Sequence, residues 1–599
     1  MRDWLSHRAA TTPDAEALVT AWSGTRWTYA DLDAAADEMA GRFAGLGVEA
    51  GDHVGVVMSN RPEYVTLVHA AMRLGVRLVP LGDRLTAAEL APKLDAADVT
   101  TVLCDADTER AAVEATASGI DADEARGDDA ARDADPNGNA EADERDENGA
   151  DESSVDESDG GGGQEEAGSG DAPRPSIPVV SVDEPQWEQV AHLRTTEPAA
   201  FESATWSLSD PLLMLSTSGT TGDPKLVVLR LQNVLASAVA SAFRLGVQPG
   251  DRYLATLSLH HTGGIMPLYR AALYGTSVVL RREFDPGGAA DDLREYDVTG
   301  VSLVPTMLQR MLDARGTLSD SLRVVLLGGA PAPDDLVERC RDYSVPVHPT
   351  YGMTETASQI ATARPQEAFD RVGTVGRPLF WMDLSVVDDD GDPVPDGESG
   401  ELVVSGPAVA SSYYGDRGGD AFVDGALRTG DVGYRDDDGY VYVLNRRDDR
   451  IITGGENVDP GEVAAVIREH AGVRDAAVAG VPDEEWGERV AALVVRDDPD
   501  LSAADLESFC RDRLAGFKLP RTVRFNDELP RTVSGTVDRA ALRDRLGDDD
   551  AEPAADADGD AEPSADTDSG ADADPGTDSD PANDAGTDAE VDTDAGDDE

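Results

Sequence analysis

Short apolar blocks alternate along this chain with stretches of helical period. Val54-Gly-Val-Val-Met58 and Val76-Arg-Leu-Val-Pro-Leu81 have the length and composition of strands, and Glu63 to Leu74 between them repeats apolar residues at helical spacing. Tyr29 to Leu46 reads as an earlier helix. Pro211-Leu-Leu-Met-Leu215 and Leu226-Val-Val-Leu229 read as buried strands, with a helix from Leu231 to about Phe243. Val301-Ser-Leu-Val-Pro-Thr-Met-Leu308 is a strand entering a helix, and Leu322 to Leu327 is a strand ending at Gly328-Gly329. Strand–helix–strand succession predicts an α/β fold with parallel sheets and right-handed crossovers. Beyond residue 446 the pattern changes. A helix from Val463 to His470, strands at Ala476–Val481 and Val490–Val495, and a helix from Ala504 to Leu514 predict a small α+β C-terminal unit ending near Gly547.

Composition interrupts this pattern twice. Residues 121–175 and 548–599 are rich in Asp, Glu, Ala, Gly and Ser and too poor in apolar residues to order themselves, so a disordered acidic insertion and a disordered acidic tail are expected. The insertion has a partner-binding acidic tract as its functional alternative. The formal charge is −69; the last 52 residues carry 22 acids and no Lys or Arg, residues 121–171 carry a net −17, and −30 remains on the rest. Three lysines stand against 47 arginines. A body this acidic suits solubility in concentrated salt, which screens its self-repulsion, so a halophilic source is expected. The absence of a basic patch argues against nucleic acid as a partner. Cys104, Cys340 and Cys510 are widely spaced and odd in number, which fits a reducing cytoplasm. No apolar run reaches the roughly 18 residues a membrane span needs, and no signal-like apolar segment follows Met1.

The chemistry concentrates in Thr217-Ser-Gly-Thr-Thr-Gly-Asp-Pro-Lys225, between two predicted strands. Gly219 and Gly222 allow positive φ and close backbone approach. Successive N–H groups in such a turn form an anion-binding concavity, to which Thr217, Ser218, Thr220, Thr221 and Lys225 add donors and charge. The loop suits a polyphosphate, although Ser/Thr/Gly composition alone also describes a flexible surface loop. No Gly-Lys-Ser/Thr ends it, so it is not a Walker loop.

This motif resembles the phosphate loop of the adenylate-forming superfamily: acyl-CoA synthetases, luciferases and peptide-synthetase adenylation domains. Leu226 stands where glycine is usual. Three further motifs follow in that family's order: Thr350-Tyr-Gly-Met-Thr-Glu-Thr356, Arg428-Thr-Gly-Asp-Val-Gly433, and Asn445 to Asn457. The resemblance implies a large N-terminal adenylate-forming domain, residues 1–445, a C-terminal lid, 446–547, and the tail, 548–599. It implies ATP, Mg2+ and coenzyme A, with a small-molecule carboxylic acid as the other partner.

It also implies roles for residues. Gly329, Ala330 and Pro331 would wall the adenine, though Gly-Gly alone reads as a tight turn. Tyr351 would stack on the base, within Gly352 and Met353. Thr354 would meet the phosphates and Glu355 the metal, Asp431 and Arg446 the ribose. Asp448 would be the hinge, with Asn445 departing from the usual glycine. Gly454, Gly455, Glu456 and Lys518 would form the thioester face. His261, Ser358 and Gln359 would line the acyl pocket, with Gly263 and Gly264 leaving room for substrate; a histidine beside a strand end is otherwise more often structural.

Thr536 occupies the place of the lysine that the family uses in adenylation, so Arg539 or Arg531 is expected to replace it, Arg539 favoured for its fork-shaped guanidinium. The phrases around Val301, Leu326 and Tyr351 resemble one branch, the o-succinylbenzoate–CoA ligases of menaquinone biosynthesis. A fatty-acid or aryl-acid CoA synthetase is the alternative, and a nucleotide-binding homologue with impaired adenylation a third.

Overall fold

The central strands are apolar throughout because both of their faces are covered. His53–Val57, Thr101–Cys104 and Pro211–Ser216 are buried at nearly every position, as expected of parallel sheets held between helices. The computed structural model describes residues 1–117, 177–217, 225–416, 421–449, 451–453, 456–458, 460–483, 486–511, 513–532 and 536–547, without the side chains of 416, 448, 456 and 457. The acidic insertion and tail predicted above lie outside these residues.

Among the described residues the strands gather into four sheets. One has seven strands, in the order Ala191–His192, Val179–Ser181, Thr101–Cys104, His53–Val57, Arg77–Leu81, Pro211–Ser216, Leu226–Arg230. Its pairs are parallel except the last, which brackets the phosphate-loop motif as an antiparallel hairpin. A second sheet has nine strands, with a parallel centre running through Ser277–Leu280, Arg252–Ala255, Gly300–Leu303, Val324–Leu327 and Val347–Met353. Helices Pro62–Leu74 and Thr262–Tyr274 share one core with both sheets. They are buried on all sides over 64–74 and 264–272, the condition in which a helix is apolar all round.

A third, antiparallel sheet includes Ala426–Arg435 and Val441–Arg446 and packs against helix Leu231–Leu245 and the strand Ser358–Thr362. The fourth is built on Val473–Asp483 and Gly487–Arg496, with Thr522–Asn526 parallel to the latter. Helices Pro460–Arg468 and Ala503–Arg511 cover one face of it and Arg539–Gly547 the other. This is the expected α/β architecture with a small α+β C-terminal part. The helix expected at Val463–His470 starts earlier, at Pro460, because proline suits the first turn of a helix.

Candidate active site

The carboxyl ends of the parallel strands in the nine-stranded sheet present the residues expected to hold the nucleotide, as such sheets do. Val324–Leu327 ends at Gly328, and Gly329 takes φ 79 in the turn, leaving Gly329 and Pro331 exposed and Ala330 half-buried. Next to it, Val347–Met353 stays paired with Ser358–Thr362 up to Met353, with a shift of register after Tyr351. Gly352 is required by a close approach: a Cβ there would lie 1.7 Å from the Ser358 carbonyl oxygen. That crowding bends the chain into the 3-10 turn Thr354–Thr356 and a left-handed Ala357, φ 51. Met353, Thr354 and Glu355 are thereby held half-exposed beyond the sheet end.

Tyr351 is buried, and its hydroxyl donates to Asp431 Oδ2 at 2.5 Å. Arg446, directly opposite in the neighbouring strand, pairs with Asp431 Oδ1 at 2.9 Å and donates to the Thr429 carbonyl at 2.8 Å. Burial raises the Asp431 pKa, and Arg446 opposes the rise. The carboxylate is thus an acceptor fixed from two sides. Beside it, Asn445 is buried with its Oδ1 unpartnered.

Glu355 accepts from the Tyr413 hydroxyl at 2.8 Å through Oε1, and its carbonyl accepts from Ala410 N–H at 2.7 Å. The Lys225 ammonium lies 5.7 Å above the centroid of the same Tyr413 ring. Thr217 N–H donates to the Lys225 carbonyl at 3.0 Å, closing the neck of the loop. Ser218, Gly219, Thr220, Thr221 and Gly222 lie outside the described residues, as do Gly454 and Gly455. One carboxylate next to a place for phosphates is a donor set that fits Mg2+, which takes one or two protein carboxylates and fills its other positions with water and phosphate oxygens.

The residues expected at the acyl group fall around the helix Thr262–Tyr274. His261 is its N-cap, exposed on one side, with its ring 4.1 Å from that of His260. The atoms crowding both rings disfavour the imidazolium and hold His260 down to about 3 and His261 below its ordinary 6.5. Gly264 is buried at the start of that helix. A Cβ there would lie 2.2 Å from the Ser258 carbonyl oxygen, so this glycine lets the helix start against the 257–258 backbone. Ser358 is half-buried, whereas Gln359 is buried, donating to Thr362 Oγ1 at 2.8 Å with its Oε1 unpartnered.

Two residues absent from the sequence reading stand out. Arg270 is 8% exposed, its Nε has no hydrogen-bond partner, and among the described residues no carboxylate pairs with it. It donates to Ser237 Oγ at 3.1 Å, which donates to the Ala357 carbonyl at 2.9 Å, next to Ser358. A charge inside the apolar run Ile265 to Tyr274 was the available signal. Tyr413, which touches both Glu355 and Lys225, carried none.

In the C-terminal part, Lys518 pairs with Glu462 at 2.7 Å and Arg531 with Asp475 at 2.7 Å. Arg539 pairs with Asp449 at 3.2 Å and donates to the Val478 carbonyl at 3.3 Å. Thr536 exchanges a hydrogen bond with Thr532 at 2.7 Å. Asp448 lies in the 3-10 turn Arg447–Asp449, and Glu456 in the strand Glu456–Val458.

A fold of two largely parallel sheets sharing one core, with two of the motifs at their strand ends and the other two on and just beyond the adjoining antiparallel sheet, defines an adenylate-forming enzyme. The family described as AMP-binding enzyme matches residues 5–414 and its C-terminal domain residues 462–536, and the chain belongs to that family. It is 35% identical to the 2-succinylbenzoate–CoA ligase of Bacillus licheniformis, over 90% of this chain and 99% of that one. The 2-succinylbenzoate–CoA ligase of Geobacillus kaustophilus is 37% identical, over 91% and 97%. Among solved structures, the o-succinylbenzoate coenzyme A synthetase of Bacillus subtilis in complex with ATP and magnesium ion superposes with TM-score 0.73 at 32% identity, covering 91% of this chain and 99% of that one. The fatty acyl CoA synthetase of Mycobacterium tuberculosis gives 0.67 at 28% identity, covering 90% and 97%.

Proposed function

We propose that the chain is an AMP-forming acid–CoA ligase that converts 2-succinylbenzoate to its CoA thioester, as a step of menaquinone biosynthesis. The observation that carries this reading is the end-to-end match to ligases of that name. The buried, unpaired Arg270 supports it, because an acid whose one carboxylate is activated and whose other needs a cation suits that guanidinium.

In the first step a substrate carboxylate oxygen attacks the α-phosphorus of ATP, and pyrophosphate leaves. In the second the thiol of coenzyme A attacks the acyl carbon and AMP leaves. Asp431 accepts from the ribose hydroxyls, Arg446 holds that carboxylate, and Tyr351 lies against the adenine with Gly329, Ala330 and Pro331. Lys225 and the phosphate loop bind the polyphosphate, as does Thr354. Glu355 would hold Mg2+, which neutralises phosphate charge when bound. His261, Ser358 and Gln359 face the acyl group. We assign residues 1–445 to the adenylate-forming domain and 446–547 to a lid turning about Asp448. Such a turn lets one site serve two chemistries, with Gly454, Gly455, Glu456 and Lys518 on the thioester face. The remainder from 548 is a tail, and the cytoplasm is the expected compartment.

Pyrophosphate release by the purified chain, with ATP and a panel of acids, tests the reading. Turnover with 2-succinylbenzoate well above benzoate and fatty acids supports it. Turnover chiefly with fatty or aryl acids moves the chain to the alternative that the 28%-identical fatty acyl CoA synthetase represents. ATP binding without turnover would mean that Thr536 has cost the chain its adenylation.

A further inference from the structure

Tyr413 stands between two groups of opposite charge. It is 8% exposed, its hydroxyl is 2.8 Å from Glu355 Oε1, and its ring lies under the Lys225 ammonium at 5.7 Å. Its backbone forms a bridge with Val227, two residues past Lys225, and Ala410 N–H holds the Glu355 carbonyl at 2.7 Å. One short segment, 410–413, is therefore fastened to the lysine end of the loop and to the glutamate turn.

We propose that Tyr413 is a positioning residue that aims the Glu355 carboxylate and keeps it apart from Lys225. A phenol donating to Oε1 satisfies one carboxylate oxygen and stops rotation of the group, so that Oε2 keeps its lone pairs in a fixed direction. The ring face attracts the ammonium at a distance where cation–π attraction still acts, which gives Lys225 a resting place other than Glu355. Without both contacts, an ammonium and a carboxylate in one site would neutralise each other and be lost to the nucleotide. The inference rests on Glu355 meeting Mg2+. It differs from a purely packing role, which the edge contact with Phe422 at 5.2 Å would satisfy.

The test uses the full chain and the variant Y413F, which keeps the ring and its packing. Pyrophosphate release is titrated with free Mg2+ at saturating ATP and acid, and ATP affinity is measured by calorimetry with and without Mg2+. Groups that orient a metal ligand typically govern metal affinity by roughly 10- to 100-fold. Y413F should raise the half-saturating Mg2+ by about tenfold or more and weaken ATP binding only when Mg2+ is present. F422L, which removes packing alone, should lower the melting temperature with the Mg2+ titration unmoved. E355Q separates the two levels of the argument. If E355Q leaves the Mg2+ dependence unchanged, the metal reading of Glu355 fails. If E355Q shifts it and Y413F does not, only the role given to Tyr413 is overturned.

Discussion

At the scale of single residues, the site is built from groups that cost stability where they stand. A buried guanidinium without a carboxylate is unfavourable, since the charge loses its water and gains no ion pair. Arg270 is such a group, and Arg270→Met, which keeps the stem and removes the charge, should leave the melting temperature unchanged or raise it. The same change should raise KM for 2-succinylbenzoate by roughly 10- to 100-fold, the worth of a hydrogen bond to a charged group, with KM for ATP unaltered. An unchanged KM for the acid would make Arg270 a structural residue only. Asp431 behaves in a related way. Its folded pKa is raised by burial, so the proton is held more tightly in the folded state. The associated stability is fully present below the unfolded value near 3.8 and is lost as pH rises through the folded one. At neutral pH the ionised carboxylate therefore opposes folding, and what it supplies in return is an acceptor between Tyr351 and Arg446.

At the scale of elements, many of the buried strands and the helices between them were legible because burial on both faces writes strands as apolar runs, and because Gly and Pro mark where they stop, whereas Arg252–Ala255, Ser277–Leu280 and the helix Thr262–Tyr274 were not among the expected elements. The ordered motifs also pointed to Tyr351, Asp431 and Arg446, which the structure brings together. The contacts between distant elements were not legible. Arg270 reaches Ser237 across two helices, and Tyr413 reaches Glu355 over 58 positions of sequence; no local pattern encodes such meetings. The close approach of Gly264 to the Ser258 carbonyl is of the same kind, since the spacing of the motif does not reveal it. The C-terminal part raises the same question at Thr536, which stands where the resemblance places a lysine. Arg531 is paired with Asp475 on the flank of the C-terminal sheet. Arg539, first residue of its helix, is paired with Asp449, whose charge is felt at Asp431. That neighbourhood favours Arg539 as the replacement cation. Arg539→Ala should slow adenylation by a factor on the order of 10²–10³, as for loss of one charge-stabilising donor, while thioester formation from supplied acyl-adenylate changes little. Full adenylation in that variant, in Arg531→Ala and in the double variant would remove the idea.

At the scale of the whole molecule, two titrations act on stability. His69 and His348 are buried, and burial pushes each down to about 4 from 6.5. A depressed histidine binds its proton more readily in the unfolded chain, so stability is present above 6.5 and falls as pH drops from 6.5 toward 4, by about 1.4 kcal/mol per unit for each. His69→Gln should remove one histidine's share of that slope, to which the depressed His260 also contributes, read from denaturant midpoints at pH 7, 6 and 5; an unaltered slope would mean that His69 is protonated in the folded state. The second titration is by salt. With the insertion and tail discounted, the body still carries −30, and its described ion pairs are almost wholly guanidinium–carboxylate, Lys518–Glu462 apart. Repulsion among surface carboxylates acts over a Debye length, about 10 Å at 0.1 M and 3 Å at 1 M salt, whereas close pairs inside the fold are screened less. Raising KCl from 0.1 to 2 M should therefore raise the melting temperature, with chloride chosen because sulfate strengthens apolar burial on its own account. Removing residues 121–171 and 548–599 takes away most of the formal charge but none of the motifs. The shortened chain should keep turnover within a few-fold, because loop-closure entropy changes only slowly with the length of the excised segment. It should keep most of its salt dependence as well, if the body is what repels itself. A melting temperature flat in KCl for both chains would refute the halophilic reading, and a salt response that vanishes on truncation would place it in the acidic segments instead.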